Sequence, residues 1–289
     1  MFASLLSLLL LGTPSSLPSS EELHPPPGIE ILHIGVPAFA QNLPEMPPRL
    51  SASGMLLLDI RSRQVLLSRN ADEKRPMASL TKIMTALLVL EHRSLNEVAA
   101  IPKIVADIHG STIGVKTGEF FRVGDLLKAL LIPSANDAAY SLAIADAGSV
   151  SSFVEQMNLR AESLGLRNTH FTNPAGLDSE EQFSTPRDLA WLTIAALRNS
   201  DFRRIVRTKE ATIKTTTGQP FSLRNTNELL HENEHVFGVK TGTTSKAGEC
   251  LIVFFEEQNR EYLLVLLGSK DRYTDSLYVL EALHHALAS

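Results

Sequence analysis

Ser79 and Lys82 stand three residues apart in the stretch Arg75-Pro76-Met77-Ala78-Ser79-Leu80-Thr81-Lys82-Ile83-Met84-Thr85. Around them Leu80, Ile83, Met84, Leu87 and Leu88 recur at helical spacing, which predicts a helix with one buried stripe, entered at Pro76. Residues three apart on a helix share a side, so the ammonium can reach the hydroxyl. A serine hydroxyl is a poor nucleophile near neutral pH unless a base takes its proton. A lysine becomes that base only where burial or a nearby cation lowers its pKa. Buried together, the two residues would be a nucleophile and its base. The string Ser-x-x-Lys also arises by chance in helices, so its partners decide the matter.

Two partners follow in chain order. Pro133-Ser134-Ala135-Asn136 puts a second hydroxyl and an amide at a turn between two helix-like segments. Lys240-Thr241-Gly242-Thr243 then lies among strand formers. Ser-x-x-Lys, Ser-x-Asn and Lys-Thr-Gly in this order are the signature of the penicillin-recognising serine enzymes. Within them the chain resembles the D-alanyl-D-alanine carboxypeptidases of the low-molecular-mass penicillin-binding proteins. The likeness runs from about Ser51 onward and is carried by Ala78 to Thr85, Ser134 to Ala139, Asn173-Pro174-Ala175-Gly176-Leu177-Asp178 and Val239 to Thr243. A second Lys-Thr-Gly, Lys116-Thr117-Gly118, precedes the Ser134 motif and runs into Glu119-Phe120, so it is read as chance.

The resemblance implies roles for the matching positions. Ser79 would attack the carbonyl between two D-alanines of a peptidoglycan stem peptide, and Lys82 would take its proton. Lys240 would lower the Lys82 pKa by repulsion, and Ser134 would relay a proton to the leaving amine. Asn136 would hold a substrate amide or the Lys82 ammonium. The N–H groups of Ser79 and Thr243 would form the oxyanion hole. Thr241, Gly242, Thr243 and Arg272 would bind the substrate, with Arg272 on its carboxylate; Arg272 also reads as an exposed charge capping the last helix. On the carboxylate reading, Arg272→Ala should raise KM more than it disturbs folding. Asn173 to Leu177 reads as a tight turn under the site. Glu180 and Glu181 match no pattern for a deacylating glutamate, so β-lactams are expected to inhibit by acylation and to leave slowly. The same residues also fit an endopeptidase acting on cross-links, or a serine β-lactamase. Neither cofactor nor metal is expected.

His231-Glu232-Asn233-Glu234-His235 satisfies two zinc-peptidase strings. Both need a helix that aligns the imidazoles and a third ligand elsewhere. The flanking Asn225-Thr226-Asn227 and the strand leading to Lys240 leave little room for one, so the string is read as a polar loop. A wall-binding protein without turnover is the other rival, but binding alone needs no activated serine.

The elements that must carry these residues are a hairpin (Ser53 to Ile60 and Gln64 to Ser68), a helical middle, and three consecutive strands. Those strands are Val236 to Lys240, Glu249 to Glu256 and Tyr262 to Gly268, and a helix from Ser276 to Ala288 closes the chain. Within the middle, Asp125 to Leu131 and Asp137 to Ala147 read as helices. Ser152 with Glu155 reads as the capping box of a third, ended by Gly165, and Thr185-Pro186 opens a fourth. If first and last strands share a sheet, the middle is an insertion beside it. The fold class is then α+β, and the resemblance implies the β-lactamase/transpeptidase-like form: an antiparallel sheet flanked by helices, with an inserted helical subdomain.

A hydrophobic content of 44% fits a sizeable core, and a net charge of −5 without a basic run speaks against nucleic acid. With Cys250 as the single cysteine there is no intrachain disulfide. Residues 1–48 hold nine of the 15 prolines and no Lys or Arg, so they read as an export signal and a disordered Pro-rich segment preceding a catalytic domain at 49–289. The export run is Leu5 to Leu11 or Ile29 to Ala40. The expected product is an exported monomer of the periplasm or cell envelope, without a stable membrane anchor at its C-terminus.

Overall fold

Both faces of a central sheet are covered, and this is why its strands read as unbroken apolar runs. The computed structural model describes residues 49–288; the expected export signal and Pro-rich segment lie outside the described residues. In chain order the elements are β1 (Gly54–Asp59), β2 (Val65–Arg69), α1 (Lys82–His92), β3 (Val98–Ala100), β4 (Phe120–Arg122), α2 (Val123–Leu131), α3 (Asn136–Ala147), α4 (Val150–Ser163), α5 (Pro186–Leu197), α6 (Ser200–Val206), β5 (Glu210–Lys214), β6 (Pro220–Arg224), α7 (Glu228–Glu232), β7 (Val236–Thr244), β8 (Gly248–Glu257), β9 (Arg260–Ser269) and α8 (Arg272–Ala288).

The sheet is antiparallel in the order β2-β1-β9-β8-β7. β1 lies beside β9, from Gly54 opposite Leu267 to Asp59 opposite Tyr262. The start and end of the chain therefore share one sheet, and the helical region between them is inserted, as the α+β reading expects. Leu56, Leu58, Ile252, Phe254, Leu263 and Val265 face the helical lobe. Met55, Leu57, Leu251, Val253, Leu264 and Leu266 face Val279 and Leu283 of α8 and Leu229 and Leu230 of α7. Alternation of apolar and polar residues is lost because neither face meets water.

Three local expectations need correction. α1 is buried from Lys82 through Val89, not along one stripe, because it packs against α2, α3, α4 and α5. α4 begins earlier than the Ser152 capping box implied: Ser149 is its cap and accepts from the Ser152 N–H at 3.1 Å. Gly148, at φ +78°, ends α3 and turns the chain straight into α4. The ribbon β3–β4 is additional to the expected elements, its strands having three residues each, too few to show a period, whereas β5–β6 falls where the composition turns to strand formers from Thr208. The cap at Thr185, accepting from the Asp188 N–H, is as expected.

Candidate active site

Ser79 sits on a 3-10 turn, Ala78–Thr81, that feeds directly into α1. Ala78 enters it at φ +48°, and the Thr81 hydroxyl closes it by donating to the Ala78 carbonyl at 2.9 Å. Lys82, the first residue of α1, is completely buried. Its Nζ lies 2.8 Å from Ser79 Oγ, 2.8 Å from Asn136 Oδ1 and 2.6 Å from the Ala175 carbonyl. The last two atoms only accept. The amide of Asn136 is fixed in that sense because its Nδ2 donates to the His109 carbonyl at 2.8 Å. A neutral amine has two N–H groups, and these acceptors take both. Its lone pair is left facing Ser79, the one partner that can itself donate.

Electrostatics favour the same state. Burial, and after it the nearby Lys240, hold Lys82 well below the usual lysine range, while Asp137 pulls the other way. The helix N-terminus also disfavours a cation there. Repulsion from Lys240 was the expected cause; it contributes, but burial is the larger one. Lys240 is itself buried on β7, donates to the Thr241 carbonyl at 2.9 Å, and is lowered to about 7 by burial and then by Arg272. Because the folded value lies below the unfolded one, the unfolded chain binds more protons between them, so this group makes stability rise with pH from about 7 toward 10.5. Lys240→Met is therefore expected to gain stability relative to wild type at pH 7, and to lose that gain by up to about 1.4 kcal/mol per pH unit toward pH 10. Urea unfolding of both proteins across that range measures it; a pH-independent difference would contradict the assignment.

The remaining sequence-derived residues divide. Ser134 is buried at φ +66°, and its hydroxyl takes no partner among the described residues. Gly242 brings β7 against the Ser79 turn, since a Cβ there would lie 2.8 Å from the Ser79 nitrogen. Thr243 faces solvent beside it. The Thr241 hydroxyl, expected to face the substrate, is buried and paired with the Thr226 hydroxyl at 2.6 Å.

Arg272 is buried rather than an exposed helix cap. It donates to the Gly242 and Cys250 carbonyls at 3.0 Å each, pairs with Glu249 at 3.0 Å and donates to the Thr243 hydroxyl. Truncating it would leave the Gly242 and Cys250 carbonyls without this donor, so Arg272→Ala is expected to cost stability as well as raise KM. The zinc string straddles the end of α7: His231 lies on that five-residue helix, bonded to the Asn225 carbonyl at 3.0 Å, and His235 lies beyond it. Cys250 is buried, with its thiol pushed up to about 11. Lys116-Thr117-Gly118 forms an exposed turn before β4.

Sequence reasoning missed two backbone acceptors, the carbonyls of Ala175 and His109. It placed the Asn173 turn under the site but read nothing more than a turn there. Asn173 Oδ1 accepts from the N–H groups of Ala175, Gly176 and Leu177 at 3.1, 2.8 and 3.0 Å, which aims the Ala175 carbonyl at Lys82. Thr85 of α1 donates to the Pro174 carbonyl at 2.7 Å. Asp137, also unassigned, accepts from the Ile113, Gly114 and Val115 N–H groups at 3.1, 3.0 and 3.4 Å, which holds the loop that carries His109.

Residues 41–271 match the family described as D-alanyl-D-alanine carboxypeptidase. The chain belongs to this family. The D-alanyl-D-alanine carboxypeptidase DacF of Bacillus subtilis is 33% identical over 249 residues, which cover 84% of this chain and 64% of that protein. The chain thus spans less than two thirds of that relative's length. A D-alanyl-D-alanine endopeptidase of Escherichia coli is 33% identical over 232 residues, 78% of this chain and 74% of that one. The crystal structure of the Streptomyces K15 DD-transpeptidase superposes with a TM-score of 0.77 at 32% identity, covering 84% of this chain and 99% of that one. The sheet with its helical insertion is that fold. Among the described residues no helix is long and apolar enough to cross a membrane.

Proposed function

We propose that the chain, through the domain expected at 49–289, is a serine D-alanyl-D-alanine carboxypeptidase that removes the terminal D-alanine from peptidoglycan stem peptides. The observation that carries this reading is the buried Lys82 amine 2.8 Å from Ser79 Oγ, with both its N–H groups engaged by pure acceptors. As Ser79 Oγ attacks the penultimate carbonyl, its proton passes to the Lys82 lone pair. The oxyanion forms between the N–H groups of Ser79 and Thr243, each worth roughly 3 kcal/mol. Collapse breaks the C–N bond, and D-alanine leaves with a proton relayed by Ser134, whose hydroxyl has no competing partner among the described residues. Water then cleaves the ester, with Lys82 as base. Thr243, backed by Arg272, receives the free carboxylate.

A β-lactam would acylate Ser79 by the same attack, but its leaving nitrogen stays tethered in the adduct. Glu180 and Glu181 are both exposed, and neither is placed as a buried deacylating base. The substrate lies outside the cytoplasmic membrane, which supports the expected export to the periplasm or cell envelope.

Incubation with a stem pentapeptide is expected to release one D-alanine per peptide, with stoichiometric labelling by fluorescent penicillin and slow turnover of nitrocefin. Rapid nitrocefin hydrolysis, or cleavage of a cross-linked dimer with the pentapeptide untouched, would replace this reading with β-lactamase or endopeptidase activity.

A further inference from the structure

The chain from His109 to Thr112 is exposed, so hydrogen bonds and not burial hold it against the Ser134 turn. Three of them cross between the two. Asn136 Nδ2 donates to the His109 carbonyl at 2.8 Å, the Asn136 N–H to the Ser111 carbonyl at 2.6 Å, and Ser111 Oγ to the Pro133 carbonyl at 2.9 Å. They enclose Ser134, whose φ of +66° is one that a residue with a side chain keeps only where its neighbours hold it. The other end of the loop closes on Asp137, which is buried. Its Oδ2 accepts from the Ile113, Gly114 and Val115 N–H groups at 3.1, 3.0 and 3.4 Å, and its Oδ1 from the Ala138 N–H at 2.9 Å. Both oxygens act as acceptors, so an amide in their place would turn an NH2 toward an N–H whichever way it lay.

We infer that Asp137 is a positioning residue: by clasping residues 113–115 it fixes the 109–111 stretch on the Ser134 turn, and so keeps the oxygen of the Asn136 amide, not its NH2, on Lys82. This rests on the proposed chemistry, in which the neutral Lys82 amine takes the Ser79 proton. With the His109 carbonyl in place the Asn136 NH2 is engaged, and the oxygen faces Lys82. Once the loop drifts, the amide is free to turn over. Its N–H then occupies the Lys82 lone pair, and the base is lost although every residue of the mechanism is still present. Asp137 also raises Lys82 through its charge. Ser111, an uncharged member of the same clasp, therefore separates the effect of the loop from that of the charge.

The test takes wild type, Asp137→Asn, Ser111→Ala and the double variant. It measures the penicillin acylation rate constant apart from the non-covalent affinity, together with hydrogen exchange at the 134–136 amides. Asp137→Asn is expected to lower the rate constant about 100-fold and Ser111→Ala about tenfold, each with affinity within about threefold of wild type and with faster exchange. The double variant should fall no further than Asp137→Asn, because a loop already released has nothing more to lose. Losses that multiply in the double variant overturn the inference, and so does unchanged exchange in Asp137→Asn or an affinity that falls as far as the rate. If Asp137→Asn does not fold, Ser111→Ala decides: slower acylation with faster exchange supports the inference, and wild-type behaviour in either overturns it. If wild type takes no penicillin at all, the Ser79 reading fails. Exchange then decides the clasp by itself, supporting it if faster in both single variants and overturning it otherwise.

Discussion

Ser79→Ala is expected to lower pentapeptide hydrolysis by roughly 10⁵- to 10⁶-fold and to abolish covalent penicillin labelling, with a melting temperature within a few degrees of wild type. The two outcomes separate because the hydroxyl contributes one hydrogen bond to the cluster. Without it Lys82 keeps the Asn136 amide oxygen and the Ala175 carbonyl, the two acceptors that match a neutral amine. No buried donor is stranded, so the structural loss is that of a single exposed-side contact, about 1 kcal/mol. The chemical loss is the whole covalent route, since Ser79 is the hydroxyl bonded to the Lys82 amine. Differential scanning calorimetry and gel fluorescence measure the two effects. Residual labelling above about 1% of wild type would move the nucleophile elsewhere, with Ser134 the first candidate.

Gly176→Ala is expected to cost about 3–5 kcal/mol in stability and at least 10²-fold in acylation rate. A Cβ on Gly176 would lie 2.0 Å from the Ala78 carbonyl oxygen, 2.5 Å from its carbon and 2.9 Å from the Ser79 nitrogen, at a backbone φ of +87°. These are backbone atoms of the nucleophile's own turn, so relief of the clash displaces Ser79, its oxyanion N–H and the Ala175 carbonyl that holds Lys82. Gly218 is the control. It also has positive φ, +96°, but nothing lies within 4 Å of the place a methyl group would take there, so Gly218→Ala should cost only the conformational strain of about 1 kcal/mol. Urea midpoints of the two variants side by side, with acylation rates, decide the matter. Equal midpoints would show that the segment is not packed against the Ser79 turn.

Much of this site is legible in the sequence. Ser79, Lys82, Ser134, Asn136 and Lys240 announce themselves because the proposed nucleophile, its proposed base and the proposed substrate cation must be particular side chains in a particular order. The strands of the main sheet are legible too, since a sheet covered on both faces leaves long apolar runs such as Leu251 to Phe255. Less visible are parts whose identity carries no signal. A carbonyl acceptor such as that of Ala175 or His109 belongs to every residue, so sequence is silent on which one meets Lys82. Arg272 looks like a surface charge beside a helix start, yet it is buried because β7 and β8 present it with two carbonyls and Glu249.

From the sequence alone came the candidate reacting groups, their order and the α+β class, because residue chemistry and hydrophobic period are local properties of the chain. Only the tertiary structure decided that Lys82 is dry, that two fixed acceptors consume its protons, and that a segment rooted under Ser79 crosses to Lys246. Those are relations between stretches about 50 to 100 residues apart in the chain, and burial, the quantity that turns an ordinary lysine into a base, exists only after they have come together.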